Sequence, residues 1–365
     1  MFSDFDTQMM RKALDLAANG RFSTSPNPRV GCVIVQGKQI VGQGFHLKTG
    51  EGHAEVHALR QAGEAARGAT AYVTLEPCSH HGRTPPCAEG LIAAGVSRVV
   101  AAMTDPNPLV AGRGLQALRN AGIQVVSGLL EAEARELNRG FLSRIERNRP
   151  FVRVKIAASL DGKTALSSGA SQWITGEAAR DDVQILRAES CGILTGIGTV
   201  LADNPRLNVR AFPTLRQPAR IVVDSQLQMP LDSRLLQDDS SPFIIATISQ
   251  DPARLQALSA FAHVKILQTA SKNERVDLAD LLRQLAELGL GEIMVEAGAV
   301  LASAFIQENL ADEIVLYQAP KILGDQARGL FVLPENPRTL TQQPDWHASD
   351  IRSIGQDIKW TLRKR

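Results

Sequence analysis

Apolar residues recur at helical spacing between Asp6 and Asn19, at Met9, Met10, Ala13, Leu14 and Ala17, and the pattern predicts a helix that Gly20 ends. A loop, Arg21 to Arg29, follows with Pro26-Asn27-Pro28. Val30 to Val35 and Gln39 to Gly44 read as strands joined across Gly37-Lys38, a hairpin signal. Then come a helix over His53 to Ala62 and a strand over Ala71 to Leu75 that ends at Glu76-Pro77-Cys78. Two prolines lead into a helix from Cys87 to Ala94, suited to a helix entry. Val96 to Ala102, Gly114 to Ala121 and Ile123 to Ser127 continue as strand, helix and strand. After the opening hairpin this alternation predicts a three-layer α/β/α domain.

From Arg139 to Pro150 the pattern stops, and four arginines with Asn148 and a proline suggest a solvated boundary near Asn148. The expected domains are residues 1–148 and 149–365. The second half opens with a strand from Phe151 to Ala158 and a turn at Ser159 to Lys163. Thr175 is the expected N-cap of a helix running to Ala188. A strand from Gly192 to Thr195 runs into Gly196-Ile197-Gly198-Thr199-Val200. Further strands fall at Arg220 to Asp224, Phe243 to Ala246, Val264 to Gln268, Glu292 to Glu296 and Ile314 to Ala319, with a helix from Leu278 to Leu288. Asp350 to Arg365 reads as one more strand, antiparallel at an edge. Two strand–glycine–helix junctions, at Gly196 and at Glu296-Ala297-Gly298, would let a backbone approach a phosphate closely. Neither is the full G-x-G-x-x-G fingerprint, so the periodicity supports a nucleotide-binding α/β domain and little more.

Composition narrows the class. With 365 residues, 44% of them hydrophobic, the chain can fill two ordinary cores. A net charge of +2 argues against a general nucleic-acid binder. The four cysteines, Cys32, Cys78, Cys87 and Cys191, show no disulfide framework. No run of about 18 apolar residues could span a membrane. The first 19 residues carry Asp4, Asp6 and Asp15 and no basic signal-peptide start. The expectation is a cytoplasmic enzyme acting on a small molecule, with no nucleic-acid or membrane partner. A homo-oligomer, with a dimer favoured, is the expected assembly.

Candidate chemistry concentrates between His53 and Cys87. Taken singly, a histidine at a helix start is ordinarily a capping group and a cytosolic thiol ordinarily a buried one. Together, His53, Cys78 and Cys87 offer one imidazole and two thiols, one short of a closed tetrahedral zinc site. Catalytic zinc keeps its fourth position for water and can bring the pKa of that water to about 7. Glu55 stands two residues after the histidine, and residues two apart on a helix do not share a face. A ligand with an adjacent proton-shuttling carboxylate is therefore the natural assignment, as in zinc deaminases. Nucleobase deaminases that act on nucleic acid space their cysteines two residues apart. Here eight polar and proline residues, Ser79-His80-His81-Gly82-Arg83-Thr84-Pro85-Pro86, intervene.

His53-Ala54-Glu55, followed by Thr74-Leu75-Glu76-Pro77-Cys78 and the segment to Cys87, resembles the bifunctional riboflavin-biosynthesis deaminase–reductases of bacteria. So do Lys155 to Lys163, Ser171-Gln172-Trp173-Ile174-Thr175, Gly198-Thr199-Val200, Asp203 to Leu207 with Arg210, Val295 to Gly298, and Ala319-Pro320-Lys321. The resemblance implies a cytidine-deaminase-like three-layer domain followed by a dihydrofolate-reductase-like α/β domain. It implies zinc on His53, Cys78 and Cys87, with Glu55 as proton shuttle. Asn27, His46, His80 and Arg83 would line the pyrimidine and phosphate pocket, though Arg83 has an equally plain reading as a solvated loop residue. In the second domain it implies NADPH near Ala157, Trp173, Thr199, Asp203, Ser225 and Gly298. Substrate would meet Ser171, Arg187, Leu207, Arg210 and Glu296, with Lys155 and Glu296 near the sugar carbon that is reduced. Trp173 is otherwise most simply a core aromatic. Many relatives have glycine where this chain has Ala297, which bears on the detail of the pyrophosphate contact.

Two other readings compete. A nucleoside or tRNA-base deaminase with an accessory domain meets the wrong cysteine spacing and the near-neutral charge. A zinc-stabilised, non-catalytic nucleotide-binding regulator would have no use for Glu55 beside an open metal position.

Overall fold

Ser3 starts the first helix, α1 (Asp4–Ala18), through a capping box: its hydroxyl accepts the Asp6 N–H, and the Asp6 carboxylate accepts the Ser3 N–H. The computed structural model describes residues 2–79, 86–108, 110–333 and 346–364, and the chain divides into two units, Met1–Asn148 and Arg149–Arg365.

The first unit continues with β1 (Gly31–Gln36), β2 (Gln39–Phe45), α2 (Ala54–Ala62), β3 (Thr70–Val73), α3 (Cys87–Ala93) and β4 (Arg98–Ala101). It ends with α4 (Arg113–Asn120), β5 (Gln124–Ser127), α5 (Glu131–Leu137) and α6 (Arg139–Arg147). The sheet order is β2-β1-β3-β4-β5, antiparallel in the hairpin and between β1 and β3, parallel beyond. Strand alternation sorts its side chains into two cores. Cys32, Ile34, Ala71 and Val73 pack under α2, α3 and α4, while Val33, Val35 and Tyr72 pack under α1, α5 and α6. This is the expected three-layer arrangement. Glycine brings α2 down onto β2: a Cβ on Gly42 would stand 2.1 Å from the Ala58 carbonyl oxygen. That close seat fixes the helix that carries the candidate zinc histidine.

The arginine-rich segment before residue 148 is not an open linker. It is α6, with Gly140, Leu142 and Ser143 buried beneath the charged face. The arginines hide a narrow apolar stripe.

The second unit contains β6 (Phe151–Ala158), β7 (Lys163–Ala165), α7 (Glu177–Glu189), β8 (Gly192–Gly196), α8 (Ile197–Asp203), β9 (Ala219–Val223) and α9 (Arg234–Gln237). Then follow β10 (Phe243–Thr247), α10 (Pro252–Ser259), β11 (Val264–Gln268), β12 (Ser271–Lys272), β13 (Arg275–Val276) and α11 (Leu278–Glu287). The remaining elements are β14 (Glu292–Val295), α12 (Ala299–Gln307), β15 (Glu313–Gln318), β16 (Arg328–Gly329), β17 (Trp346–Ile354) and β18 (Asp357–Lys364). Nine strands form one sheet in the order β11-β10-β9-β8-β14-β6-β15-β18-β17. It is parallel from β11 to β15, and β18 and β17 add antiparallel at the edge. Val152, Val154 and Ile156 face α11 and α12, and the alternate residues of β6, among them Lys155, face the other way. Core side chains of α7, α9 and α10 cover that second face.

Two local expectations change. The edge segment is a hairpin, turning at Gly355 with φ of 59°, rather than a single strand. Helix α7 begins after Gly176, not Thr175, and the Gly176 N–H is met by Asp357 Oδ2 at 2.7 Å.

Candidate active sites

His53 is the N-cap residue of α2, but its side chain makes no capping hydrogen bond. Its Nδ1 lies instead 3.3 Å from Cys87 Sγ and 3.6 Å from Cys78 Sγ. Cys87 opens α3, and its N–H donates to Cys78 Sγ at 3.3 Å. All three candidate ligand atoms lie within 4.8 Å of one another. Zinc bonds of about 2.0 Å to nitrogen and 2.3 Å to sulfur, at tetrahedral angles, put N and S about 3.5 Å apart. The donor set and its spacing therefore fit zinc. Cys78 is held below the usual thiol range by the Cys87 thiol, against burial, with His53 helping. That favours the thiolate a metal requires.

Glu55 is buried in the first turn of α2 and is not part of the three-residue cluster among the described residues. Burial pushes its carboxyl up to about 7; the backbone at the helix start opposes this, Cys78 adds to it and His53 subtracts. A carboxyl poised there can take and return a proton near neutral pH. His46 lies edge-on to His53, ring centroids 5.3 Å apart. Its Nδ1 is 3.2 Å from the Gly52 carbonyl and its Nε2 is 3.2 Å from Asn27 Nδ2. Burial pushes this imidazole down, so the neutral tautomer with Nδ1–H satisfies both contacts. His46 thus stands beside the cluster with Asn27 on its Nε2, while His80 and Arg83 lie outside the described residues.

In the second unit, Arg187 of α7 reaches Glu296, just past β14, with Nε–Oε1 at 2.7 Å and Nη2–Oε2 at 2.9 Å. Its Nη1 donates to the Asn208 carbonyl at 2.9 Å. Arg187 is therefore a carboxylate partner first, with three N–H groups already engaged. Burial would raise the Glu296 carboxyl, but Arg187, Lys155 and Arg210 hold it below its usual value. Burial pushes the Lys155 ammonium down, Glu296 pulls it back up, and Arg187 lowers it again. The four expected residues Lys155, Arg187, Arg210 and Glu296 thus form one electrostatic group.

The candidate cofactor positions follow the carboxyl ends of parallel strands: Ala157 in β6, Thr199 and Asp203 after β8, Ser225 after β9 and Gly298 after β14. Ligands of open α/β sheets bind at such ends. A Cβ on Gly198 or Gly298 would meet nothing within 4 Å, so no protein atom crowds the backbone at either point. Ser225 Oγ is already an acceptor for the Val276 N–H at 3.1 Å. Trp173 is 59% exposed, with the Arg180 guanidinium 4.8 Å from its ring centroid, so it is not a core aromatic. Leu207 is buried at φ of 48°, and Ser171 is half-buried on the segment leading to α7.

Sequence reasoning passed over several residues. Gln184 Oε1 holds the Arg210 N–H at 3.0 Å. Asp182 Oδ2 receives both the Tyr317 hydroxyl and, at 2.5 Å, Lys359 Nζ. Glu76, inside the quoted motif, is buried and accepts four backbone N–H groups. An acidic residue ending an apolar strand was the available signal for Glu76. The others depend on tertiary placement.

Comparison with known proteins finds a match for each unit. The family described as "RibD C-terminal domain" matches residues 150–360, and "Cytidine and deoxycytidylate deaminase zinc-binding region" matches residues 3–103. The riboflavin biosynthesis protein RibD of Escherichia coli is 50% identical over 97% of this chain and 98% of its own length. That of Haemophilus influenzae is 48% identical over 99% and 98%. A solved RibD structure from Acinetobacter baumannii has TM-score 0.92 and 45% identity over 99% of both chains. A Thermotoga maritima structure, described as a diaminohydroxyphosphoribosylaminopyrimidine deaminase/5-amino-6-(5-phosphoribosylamino)uracil reductase, has TM-score 0.87 and 32% identity over 99% of both. A deaminase zinc region and a RibD reductase region in one chain, matched from end to end, place this chain in the RibD family of bifunctional riboflavin-biosynthesis enzymes.

Proposed function

We propose that the first unit hydrolyses the ring 2-amino group of 2,5-diamino-6-(5-phosphoribosylamino)pyrimidin-4(3H)-one, giving 5-amino-6-(5-phosphoribosylamino)uracil and ammonia. The second unit then reduces the ribosyl group of that uracil to ribityl with NADPH. The observation that carries the reading is the His53, Cys78, Cys87 cluster with buried Glu55 beside it, in a chain that also assembles Lys155, Arg187, Arg210 and Glu296.

His53, Cys78 and Cys87 would hold zinc, which when bound supplies Lewis-acid activation of water. Glu55 takes the proton of the attacking water and returns one to the departing amino group. Asn27 and His46 orient the pyrimidine, and His80 and Arg83 complete the pocket toward the phosphate.

In the second unit NADPH, when bound, supplies a hydride to the sugar carbon of the opened imine or aldehyde. Ala157, Trp173, Thr199, Asp203, Ser225 and Gly298 hold the cofactor. Glu296, fixed by Arg187, orients the opened sugar, and Lys155 Nζ offers a proton beside the carbon being reduced. Ser171, Leu207 and Arg210 complete the substrate contacts. No helix among the described residues is long and apolar enough to cross a membrane, and none of the four cysteines is in a disulfide. These support a cytoplasmic enzyme, which we take to work as a homodimer.

The test is one assay with the diaminopyrimidine phosphate, with and without NADPH. Ammonia should appear in both, and NADPH oxidation should follow deamination. Oxidation without ammonia release, or neither, would defeat the reading.

A further inference from the structure

Glu76 sits two residues before Cys78, and its side chain is almost sealed from solvent. Four backbone N–H groups converge on its carboxylate. Asp105 N at 3.1 Å and Gly112 N at 2.9 Å donate to Oε2. Gly114 N at 2.8 Å and Leu115 N at 3.2 Å donate to Oε1. The last two are otherwise unmatched donors of the first turn of α4, which has no side-chain cap of its own. A carboxylate is an acceptor with room for these four donors on its two oxygens.

The backbone around it is pinned as well. Glu76 N donates to the Met103 carbonyl at 3.0 Å, and Ala88 N donates to the Cys78 carbonyl at 3.2 Å. Between them Pro77 presses its carbonyl against α4: a Cβ on Gly114 would stand 1.9 Å from that oxygen. The turn that delivers Cys78 is thus clamped to α4 and to the backbone at Asp105 and Gly112, and Glu76 is the side chain that makes the clamp.

We infer that Glu76 is a positioning residue for the metal site, setting where the Cys78 thiol stands relative to His53 and Cys87. It acts through the Pro77-Cys78 turn, its carboxylate hydrogen bonds going to Asp105, Gly112, Gly114 and Leu115 and to none of the three. A glutamine at this position would offer one oxygen and one NH2 group to four donors, leaving one pair facing a donor. An aspartate would fall one methylene short. The inference rests on the zinc reading of the cluster.

The experiment uses the full chain as wild type, E76Q, E76D and L118A; Leu118 is a buried α4 core residue and is not one of the carboxylate's four donors. Zinc release to an excess of a chromogenic chelator and the visible spectrum of the cobalt-substituted protein are measured, with thermal unfolding and NADPH oxidation on the deaminated uracil beside them. E76Q should release zinc about 10-fold faster or more, the scale of losses when groups that orient metal ligands are removed. It should also shift the cobalt–thiolate bands, with E76D between it and wild type. L118A should lower the melting temperature without changing either metal readout. Reduction should persist in all four, showing the second unit intact. If E76Q and E76D melt early like L118A yet keep the wild-type release rate and spectrum, Glu76 only supports the fold and the inference is overturned. Should E76Q be insoluble, E76D against L118A decides by the same criterion. Wild type without zinc would instead overturn the reading of the cluster itself.

Discussion

Arg187 and Glu296, 109 residues apart in sequence, form a two-pronged ion pair in which each carboxylate oxygen receives one guanidinium N–H. The pair is mostly shielded from solvent, its side chains 11% and 12% exposed, and Lys155 lies within its field. Removing the charge of one partner from such a pair typically costs about 3–5 kcal/mol, because the other stays buried and unpaired. Glu296→Gln should therefore both destabilise the second unit and abolish most reduction. Lys155→Met should damage reduction as well. Ammonia release should continue in both variants. Parallel assays of ammonia release and of NADPH oxidation on the deaminated uracil decide the matter; full reduction in both variants would mean the catalytic group lies elsewhere.

Glu55→Gln keeps the size of the side chain and removes its proton chemistry. Zinc should stay, since the three ligands are unchanged. Ammonia release should fall on the order of 100- to 10,000-fold, the usual worth of a general acid–base. Reduction of the supplied uracil should be untouched. Wild-type ammonia release would remove Glu55 from the mechanism.

Metal analysis should find about one zinc per chain. Cys87→Ser replaces one of two sulfur ligands by a hydroxyl that is a poor zinc ligand at neutral pH. Its zinc content should drop well below that of wild type, and X-ray absorption of the wild type should report one nitrogen and two sulfur neighbours from the protein. Full occupancy in the variant would exclude Cys87.

Asp6 makes a pH-dependent contribution to the first unit. Arg98, at 2.6 Å, holds its carboxyl well below the usual range against burial, with Ser3 and Tyr72 also donating. A group whose folded pKa is depressed stabilises the protein above its unfolded pKa, about 3.9 for aspartate, and loses that contribution as pH falls toward the folded value. Asp6→Asn should cost about 1–3 kcal/mol at pH 7, the worth of hydrogen bonds to a charged group. Melting curves of the two proteins should converge as the pH drops below about 4. A gap that stays constant down to pH 2 would show that the ion pair is not its source.

Asp357→Ala tests the tether of α7. Asp357 Oδ2 receives the N–H of Gly176 at the helix start, and losing an acceptor at such a point costs about 1 kcal/mol. Arg187 lies on the same helix, so reduction should weaken while deamination stays level. Equal loss of both activities would point to a general folding defect.

The strand–helix alternation was readable because each strand of the first unit divides its side chains between two cores, as Val33 and Ile34 do. The zinc cluster was readable because three ligands and a carboxylate fall in two short segments. Helix α6 was not, since its arginines outnumber the buried Leu142. The hairpin after residue 346 was read as one strand because Gly355 sits inside a run of strand-like residues. The Arg187–Glu296 pair and the Glu76 clamp join residues 109 and up to 39 positions apart, and local pattern carries no information about such distances.

Helix α7 receives its tethers from far downstream. Asp357 is 181 residues beyond Gly176, and Lys359 is 177 beyond Asp182. A ribosome adding roughly 5–20 residues per second leaves the helix without them for on the order of 10 seconds. Residues 1–148 have all been made by then, and they contain every strand of the first sheet. In a translating cell the deaminase half would therefore be ready before the reductase half can close. A message broken between codons 190 and 357 would encode all of the first unit and an α7 without either tether.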